Sequence, residues 1–491
     1  MTKPYLTRRS FLATSAAAVA MAATPGWARA EAGPDRWEVL KRITSDKLLR
    51  PNDAGYAKAA RPNNLRFNDV RPQGVAYVTS PQMIADVISW CRDYDMPFVV
   101  RGGGHNYAGF STSHDLVIDM REMGRLSFDD TSSGAVTIGA GAINGQIYSA
   151  LNKAGRIMTH GRCPTVGAAG FLLGGGIGFN MRRFGMACDA VTTSEIVTAE
   201  GKILTLSANE NEDLFWATRG GAGGNFGVST KFTLQTQPVD NSITVFRIVW
   251  RANTLEVAKA LFAAADAAPE SLATRINLGG VTPELGANGR QVPVTLLGQF
   301  AGPEAELRAI LAPVYAAAAP EHEDIQHVSY WDGQNFLMEP GAPDYFRERS
   351  AYLQTAPSHE FLGQAFERLA KWTGTGAAGN LFFFQTGGKI NEVASDATAY
   401  VHRNSRWLSV VGIVWTEDDV AQPEKLRNAS DWQDSFYQDV NRLGGTGAYQ
   451  NFPDNALVDW RAAYYGENYA KLLQVKEKYD PTNVFSYAQA I

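Results

Sequence analysis

Cysteine is scarce, with three in 491 residues. That excludes a disulfide-built scaffold and a four-cysteine zinc ribbon. Positive charge is not in excess. Lys and Arg total 45 against 50 Asp and Glu, so the chain carries −5 and lacks the basic footprint of a nucleic-acid binder. Beyond the first thirty residues no run reaches 18 unbroken apolar residues, so no stable membrane insertion is expected of the mature protein. Internal repeats, low-complexity tracts and evident linkers are missing too. The ATPase loop G-x-x-x-x-G-K-[ST] does not occur. The glycines at 174–178 lack the G-x-G-x-x-G spacing, and no clean strand leads into them. No metal site is predicted. His322-Glu323 with His327 looks at first like a zinc-protease helix, but a spacing of five in place of four turns the second imidazole away. Both histidines are read as solvated.

What is present is an ordinary globular balance, 45% hydrophobic and 19% charged, with 47 glycines gathered into a few runs. The length suits two to four domains of roughly 100–200 residues each. The chain opens on an address. Thr7-Arg8-Arg9-Ser10-Phe11-Leu12 is a twin arginine, an Ala-rich apolar stretch runs to Ala23, and Ala28-Arg29-Ala30 is a small-x-small cleavage site. Residues 1–30 are therefore expected to be a twin-arginine signal peptide, cleaved near Ala30, with a periplasmic or secreted product. Its loss removes four basic residues and leaves −9. Twin-arginine export carries folded proteins and suits one that loads a cytoplasmic cofactor first.

From Pro72 to Leu234 short strands (75–78, 97–100, 116–119, 135–138, 195–198, 203–206, 227–234) alternate with helices at about 80–94 and 144–154 and with glycine runs. Beyond Pro238 the texture changes. Long strands are predicted at 243–250, 272–279, 292–299, 381–386 and 407–415, with helices at about 254–267, 303–318, 358–372 and 423–442. The fold class is α+β. The expected division is 31–238 as a cofactor domain, 239–440 as a substrate domain with an antiparallel sheet covered by helices, and 441–491 as a segment returning to the first domain.

Three glycine runs carry the chemistry: RGGGHNYAGFS at 101–111, GRCPTVGAAGFLLGGGIG at 161–178 and RGGAGGNFGV at 219–228. Glycine admits positive φ and close approach of backbone to a ligand. Successive N–H groups in such turns make an anion-binding concavity. Two of the runs hold a nucleophile, His105 and Cys163.

At these residues the chain resembles the vanillyl-alcohol oxidase / p-cresol methylhydroxylase flavoproteins, and within them the berberine-bridge-enzyme-like branch. RGGGHNY at 101–107, GRCPTVG at 161–167, GGGIGFNMRRFGMACD at 174–189, LFWATRGGAGGNFGV at 214–228 and KYDPTNVF at 478–485 carry the likeness, in the family's order. The resemblance implies a PCMH-type FAD-binding domain of two α/β subdomains. It implies FAD bound twice, by His105 at the flavin 8α-methyl carbon and by Cys163 at C6. Arg101, Gly102, Gly103, Gly104, Asn106 and Ser111 would cradle the pyrophosphate. Pro164, Thr165, Val166, Gly167, Gly170, Gly174, Gly178, Gly227 and Val228 would line the flavin and adenosine path, and Asn483 and Tyr487 would fold back onto it. Cys91 and Cys188 remain, paired or free.

The same likeness implies an oxidase that takes an alcohol or lactol of sugar, phenolic or polyketide type and passes electrons to O2, giving H2O2. Oxidative cyclisation or desaturation, a dehydrogenase with another acceptor, and a scaffold with dead chemistry are the alternatives. Plant members use a Glu after a His-Arg pair. Here His402-Arg403 is present, but Val411 occupies that Glu position. Relatives with a Tyr-x-Asn-Tyr motif use its tyrosines, and this chain reads Tyr449-Gln450-Asn451-Phe452. Tyr449 and Tyr107 are therefore the expected proton-handling pair. Tyr330, Trp331, Phe382, Phe384, Gln385 and Trp407 are the expected substrate walls. Strand alternation puts Phe382 and Phe384 on one face and Phe383 and Gln385 on the other, without saying which face meets the flavin.

Overall fold

The computed structural model describes residues 35–491 apart from 129–131, 376–377 and 443. The proposed leader lies outside the described residues. The first sheet is short. Strand Leu116–Asp119 lies between Gly74–Tyr77 and Phe98–Arg101, all parallel, with Leu48–Leu49 antiparallel at one edge. Its crossover helix, Pro81–Asp93, is capped by the Ser80 hydroxyl, which accepts from the Met83 N–H at 3.2 Å, and has Pro81 in its first turn. The second sheet is antiparallel, in the order Leu126–Ser127, Ala135–Gly139, Val228–Gln235, Val191–Val197, Ile203–Ser207.

The third sheet has eight antiparallel strands. Their order is His322–Val328, Ile243–Trp250, Val294–Phe300, Leu272–Gly279, Gly379–Gln385, Trp407–Trp415, Tyr345–Leu353 and Gly445–Thr446. One face is apolar throughout. Phe246, Ile276, Leu296, Phe383 and Val411 pack there against helices Thr254–Ala267, Glu304–Ala317, His359–Leu369 and Pro423–Arg442 in one core. The opposite face meets the first two sheets, and Val245, Ala273 and Leu297 join their core.

Most strand edges move by a residue or two from the sequence reading, but the 195–198 strand begins four residues earlier, at Val191. Besides several two-residue strands, two long strands were not expected. His322–Val328 is an edge strand, so the two histidines, five apart, point to opposite faces. Tyr345–Leu353 pairs with Trp407–Trp415 along its whole length. Its Arg347-Glu348-Arg349 core hides the alternation that marks a strand.

The last 45 residues return to the first two sheets. Lys476 Nζ donates to Asp480 at 2.7 Å and to the carbonyls of Asn225 (2.8 Å) and Phe485 (2.6 Å). Phe485 packs edge-on against Phe98 at 5.6 Å. Among the described residues no helix is long and apolar enough to cross a membrane.

Candidate active site

A long cleft separates the glycine runs from the polar face of the large sheet, with about 2050 Å³ between its walls, open mouth included. All three runs line it. Two of them cross at van der Waals distance, backbone on backbone. A Cβ on Gly103 would stand 2.8 Å from the Gly167 Cα and 2.9 Å from the Thr165 carbonyl, so only glycine fits. At Gly170, by contrast, a Cβ would meet nothing within 4 Å, so that stretch of wall is open.

His105 and Cys163 meet at Thr165. Its hydroxyl lies 2.9 Å from His105 Nε2 and 3.3 Å from Cys163 Sγ, and donates its single hydrogen to the Gly341 carbonyl at 2.9 Å. With the Thr165 hydrogen on Gly341, His105 Nε2–H is the donor and Nδ1 carries the lone pair. Burial pushes this imidazole down to about 4, so it is neutral at neutral pH, as a nucleophile must be. The donor set and the glycine-walled cleft fit a flavin dinucleotide.

Tyr107 and Tyr449 both line the cleft, on either side of Phe452. Tyr107 stacks on Phe452 at 4.7 Å and Tyr449 meets it edge-on at 5.0 Å. The Tyr449 hydroxyl accepts from the Gly176 N–H (2.9 Å) and from Asn451 Nδ2 (3.1 Å). Burial raises its pKa, and these two donors oppose the rise. The cleft-facing row of Tyr345–Leu353 supports both tyrosines. Ser350 Oγ accepts from the Tyr449 N–H at 3.0 Å, and the Glu348 carboxyl stands close enough to Tyr107 for each to shift the other's titration. Burial lifts Glu348 to about 7, with Glu339 adding to the rise and Arg275 opposing it. Sequence reasoning missed Glu348, Arg275 and Glu339, because their nearness arises only from strand pairing and from the loop that carries Glu339.

Several expected residues do other work. Arg101 does not face the cleft. Its guanidinium is buried, donating to the carbonyls of Ser111 (2.9 Å) and Ala59 (2.5 Å), and anchors the turn from below. Asn106 lies on the wall, but its side chain accepts from the Ala108 and Phe110 N–H groups and closes the loop. Pro164 packs on Gly145, and Gly174 is covered by the Asn451 side chain. Asn483 is an exposed left-handed turn residue, φ 53°, away from the cleft, whereas Tyr487 lines it.

Among the substrate walls, Phe384 lines the cleft and Phe382 shares its face, so the face question is answered in their favour. Gln385 borders the cleft beside Thr274, accepting from that hydroxyl at 3.1 Å. Its side chain turns under the helices, donating to the Ala265 carbonyl at 2.6 Å. Trp407 is fully buried there against Phe262, as strand alternation from Phe384's partner Leu408 requires. Tyr330 and Trp331 are also off the cleft. Tyr330 hydrogen-bonds His160 Nε2 (2.7 Å) and Trp331 stacks on that ring at 5.6 Å, forming a buried seam. Cys91 and Cys188 are free and buried.

Comparison with known proteins agrees with this geometry. Residues 72–207 match the family described as FAD binding domain, and 448–491 the family described as berberine and berberine like. The FAD-linked oxidoreductase YvdP of Bacillus subtilis is 31% identical over 457 residues, 91% of this chain and 97% of its own. Carbohydrate oxidase of Microdochium nivale is 27% identical over 470 residues, covering 90% and 92%. The solved BBE-like 1 structure of Physcomitrella patens superposes with a TM-score of 0.81 at 26% identity, covering 92% and 98%. With its paired glycine-run nucleophiles and its returning C-terminal segment, the chain belongs to the berberine-bridge-enzyme-like family of FAD-linked oxidoreductases.

Proposed function

We propose that the protein is an exported oxidase carrying FAD attached twice, through His105 to the 8α-methyl carbon and Cys163 to C6, and that it oxidises an alcohol or lactol of sugar, phenolic or polyketide type with O2 as acceptor, giving H2O2. The convergence of His105 and Cys163 on one hydroxyl carries this reading, since two anchors must lie within one ring's reach of each other. The family relationship and the activity named for the carbohydrate oxidase support it. We read 31–238 as the FAD domain, 239–440 as the substrate domain and 441–491 as the returning segment. Bound FAD supplies a hydride acceptor at N5.

The chain's own residues provide the proton path. Tyr107 accepts the substrate hydroxyl's proton as its own hydrogen passes to Glu348, the buried carboxyl beside it. Tyr449, with two donors aimed at its oxygen, holds negative charge at the other side of Phe452. Arg101 positions the first glycine run, and the Gly103–Gly167 crossing presents N–H groups to the pyrophosphate. Arg8-Arg9, the apolar stretch and Ala28-Arg29-Ala30 support delivery by the twin-arginine machinery to the periplasm or beyond, with cleavage near Ala30.

Acid precipitation tests the double attachment. The wild-type pellet is expected to stay yellow, and His105→Ala and Cys163→Ala singly to keep colour through the remaining bond. Only the double variant should release flavin to the supernatant. Colour leaving the wild-type pellet would reject the reading.

A further inference from the structure

At the Cys163 end of the cleft two guanidiniums converge. Arg162 comes from the second glycine run and Arg275 from the cleft-facing row of Leu272–Gly279. Their side chains are 9% and 19% exposed. Both reach the same oxygen, Glu339 Oε1: Arg275 Nη1 donates to it at 2.7 Å, and Arg162 Nη2 pairs with it at 2.9 Å. Glu339 sits just after the Tyr330–Leu337 helix and is 47% exposed. Arg162, Glu339 and Phe384 all line the cleft. Aromatic rings fix the planes of the forks: Arg275 lies 4.2 Å from the Phe382 centroid, and Arg162 5.9 Å from that of Phe384.

The forks are under-used. Arg162 Nη1 and Arg275 Nε are buried without an acceptor. Arg50, Arg101, Arg182, Arg219 and Arg347 also leave a buried nitrogen without an acceptor, but none of them stands on the cleft wall beside a second such guanidinium, and Arg403 and Arg349 leave none. Arg403 takes both oxygens of Asp189 and the Thr398 hydroxyl, and Arg349 divides between Asp434 and Asp454. In the cleft one carboxylate serves two arginines. Glu348, the next acid inward, titrates near 7 and adds less than a full negative charge at neutral pH. The cluster therefore keeps positive charge. A buried charged donor without an acceptor is costly, and a guanidinium fork matches the two oxygens of a carboxylate.

We propose that Arg162 and Arg275 form a recognition subsite for a carboxylate on the substrate, so that the preferred substrate is an acidic sugar or hydroxy acid and not its neutral counterpart. This deepens, and rests on, the alcohol or lactol oxidase reading above. Glu339 fills the fork in its place, and its half-exposed position lets it yield. One surplus positive charge suits a monoanion.

Calorimetry of the holoenzyme with methyl β-D-glucuronide and methyl β-D-glucoside, both blocked at the anomeric carbon, tests binding apart from turnover. The acid is expected to bind at least about tenfold tighter, the scale of one charged hydrogen bond. Arg275→Gln should abolish that preference. Glu339→Gln should increase it by freeing the fork, a gain that a purely structural ion cluster would not give and that stands even if Arg162→Gln does not fold. Equal affinity for acid and neutral probe in the wild type would overturn the subsite. So would an Arg275→Gln enzyme with the wild-type preference but a shifted flavin potential, since the guanidiniums would then serve the cofactor. In parallel, flavin bleaching without oxygen is followed with D-glucuronate and D-glucose. If no alcohol or lactol bleaches the flavin while the calorimetric preference persists, the oxidase reading fails and the subsite stands.

Discussion

Glu348 is the residue whose environment most constrains the chemistry. Burial and Glu339 lift its carboxyl from the ordinary range near 4.5 to about 7. Below that pH it is protonated and cannot take Tyr107's hydrogen; above it, it can. Turnover efficiency is therefore expected to rise with pH through about 7. Glu348→Gln keeps a polar group of the same size beside Tyr107 but cannot accept the proton. Its rate should fall about 100-fold with little change in KM, the usual scale for a lost general base, and the inflection should vanish from the pH profile. Stability runs the other way. The folded state holds this proton more tightly than the unfolded one, so Glu348's contribution is fully present below about pH 4.5 and is lost as pH rises through about 7. At pH 8 the Gln variant should melt above wild type. A wild-type profile that is flat between pH 6 and 8 would reject this assignment.

At the scale of elements, the site depends on two crossings. The first is that of the glycine runs at Gly103 and Gly167. Gly103→Ala must push apart two backbones, not a flexible side chain. It should lower stability by about 1–3 kcal/mol, as overpacking does, and lower bound flavin per chain, read by thermal melting and by the ratio of visible to ultraviolet absorbance. The second crossing is Tyr345–Leu353 over the glycine turns, where alternate residues Glu348 and Ser350 reach Tyr107 and Tyr449. The three glycine runs were legible because φ freedom and close approach restrict residue choice locally. This strand was not, because its charges read as a solvated segment. Its arginines are satisfied only by Asp434 and Asp454, which come from distant parts of the chain.

For the molecule as a whole, the returning C-terminal segment closes the structure. Lys476 is buried among Asp480 and two carbonyls, and Asp480 also accepts from the Val484 and Phe485 N–H groups. Lys476→Met would leave that carboxylate buried without its cation. The expected loss is about 3 kcal/mol, measured by denaturant unfolding, with the tail's amides exchanging faster than in wild type. Unchanged unfolding would mean that the segment is held by Phe485 and its apolar neighbours alone.

The sequence by itself determined the fold class, the glycine-walled cradle and the placing of His105 and Cys163 within it, because each rests on local chemistry: period, turn freedom and a side chain embedded in a motif. It also placed Phe382 and Phe384 on a common face. Only the tertiary structure decided which face meets the cleft, since alternation has no preferred side until helices cover one of them. It alone moved Arg101, Tyr330, Trp331 and Trp407 out of the binding walls, and brought Arg162, Arg275, Glu339 and Glu348 together. Those four lie on separate segments of the chain, and charges so distant in sequence become neighbours only through strand pairing and loop closure.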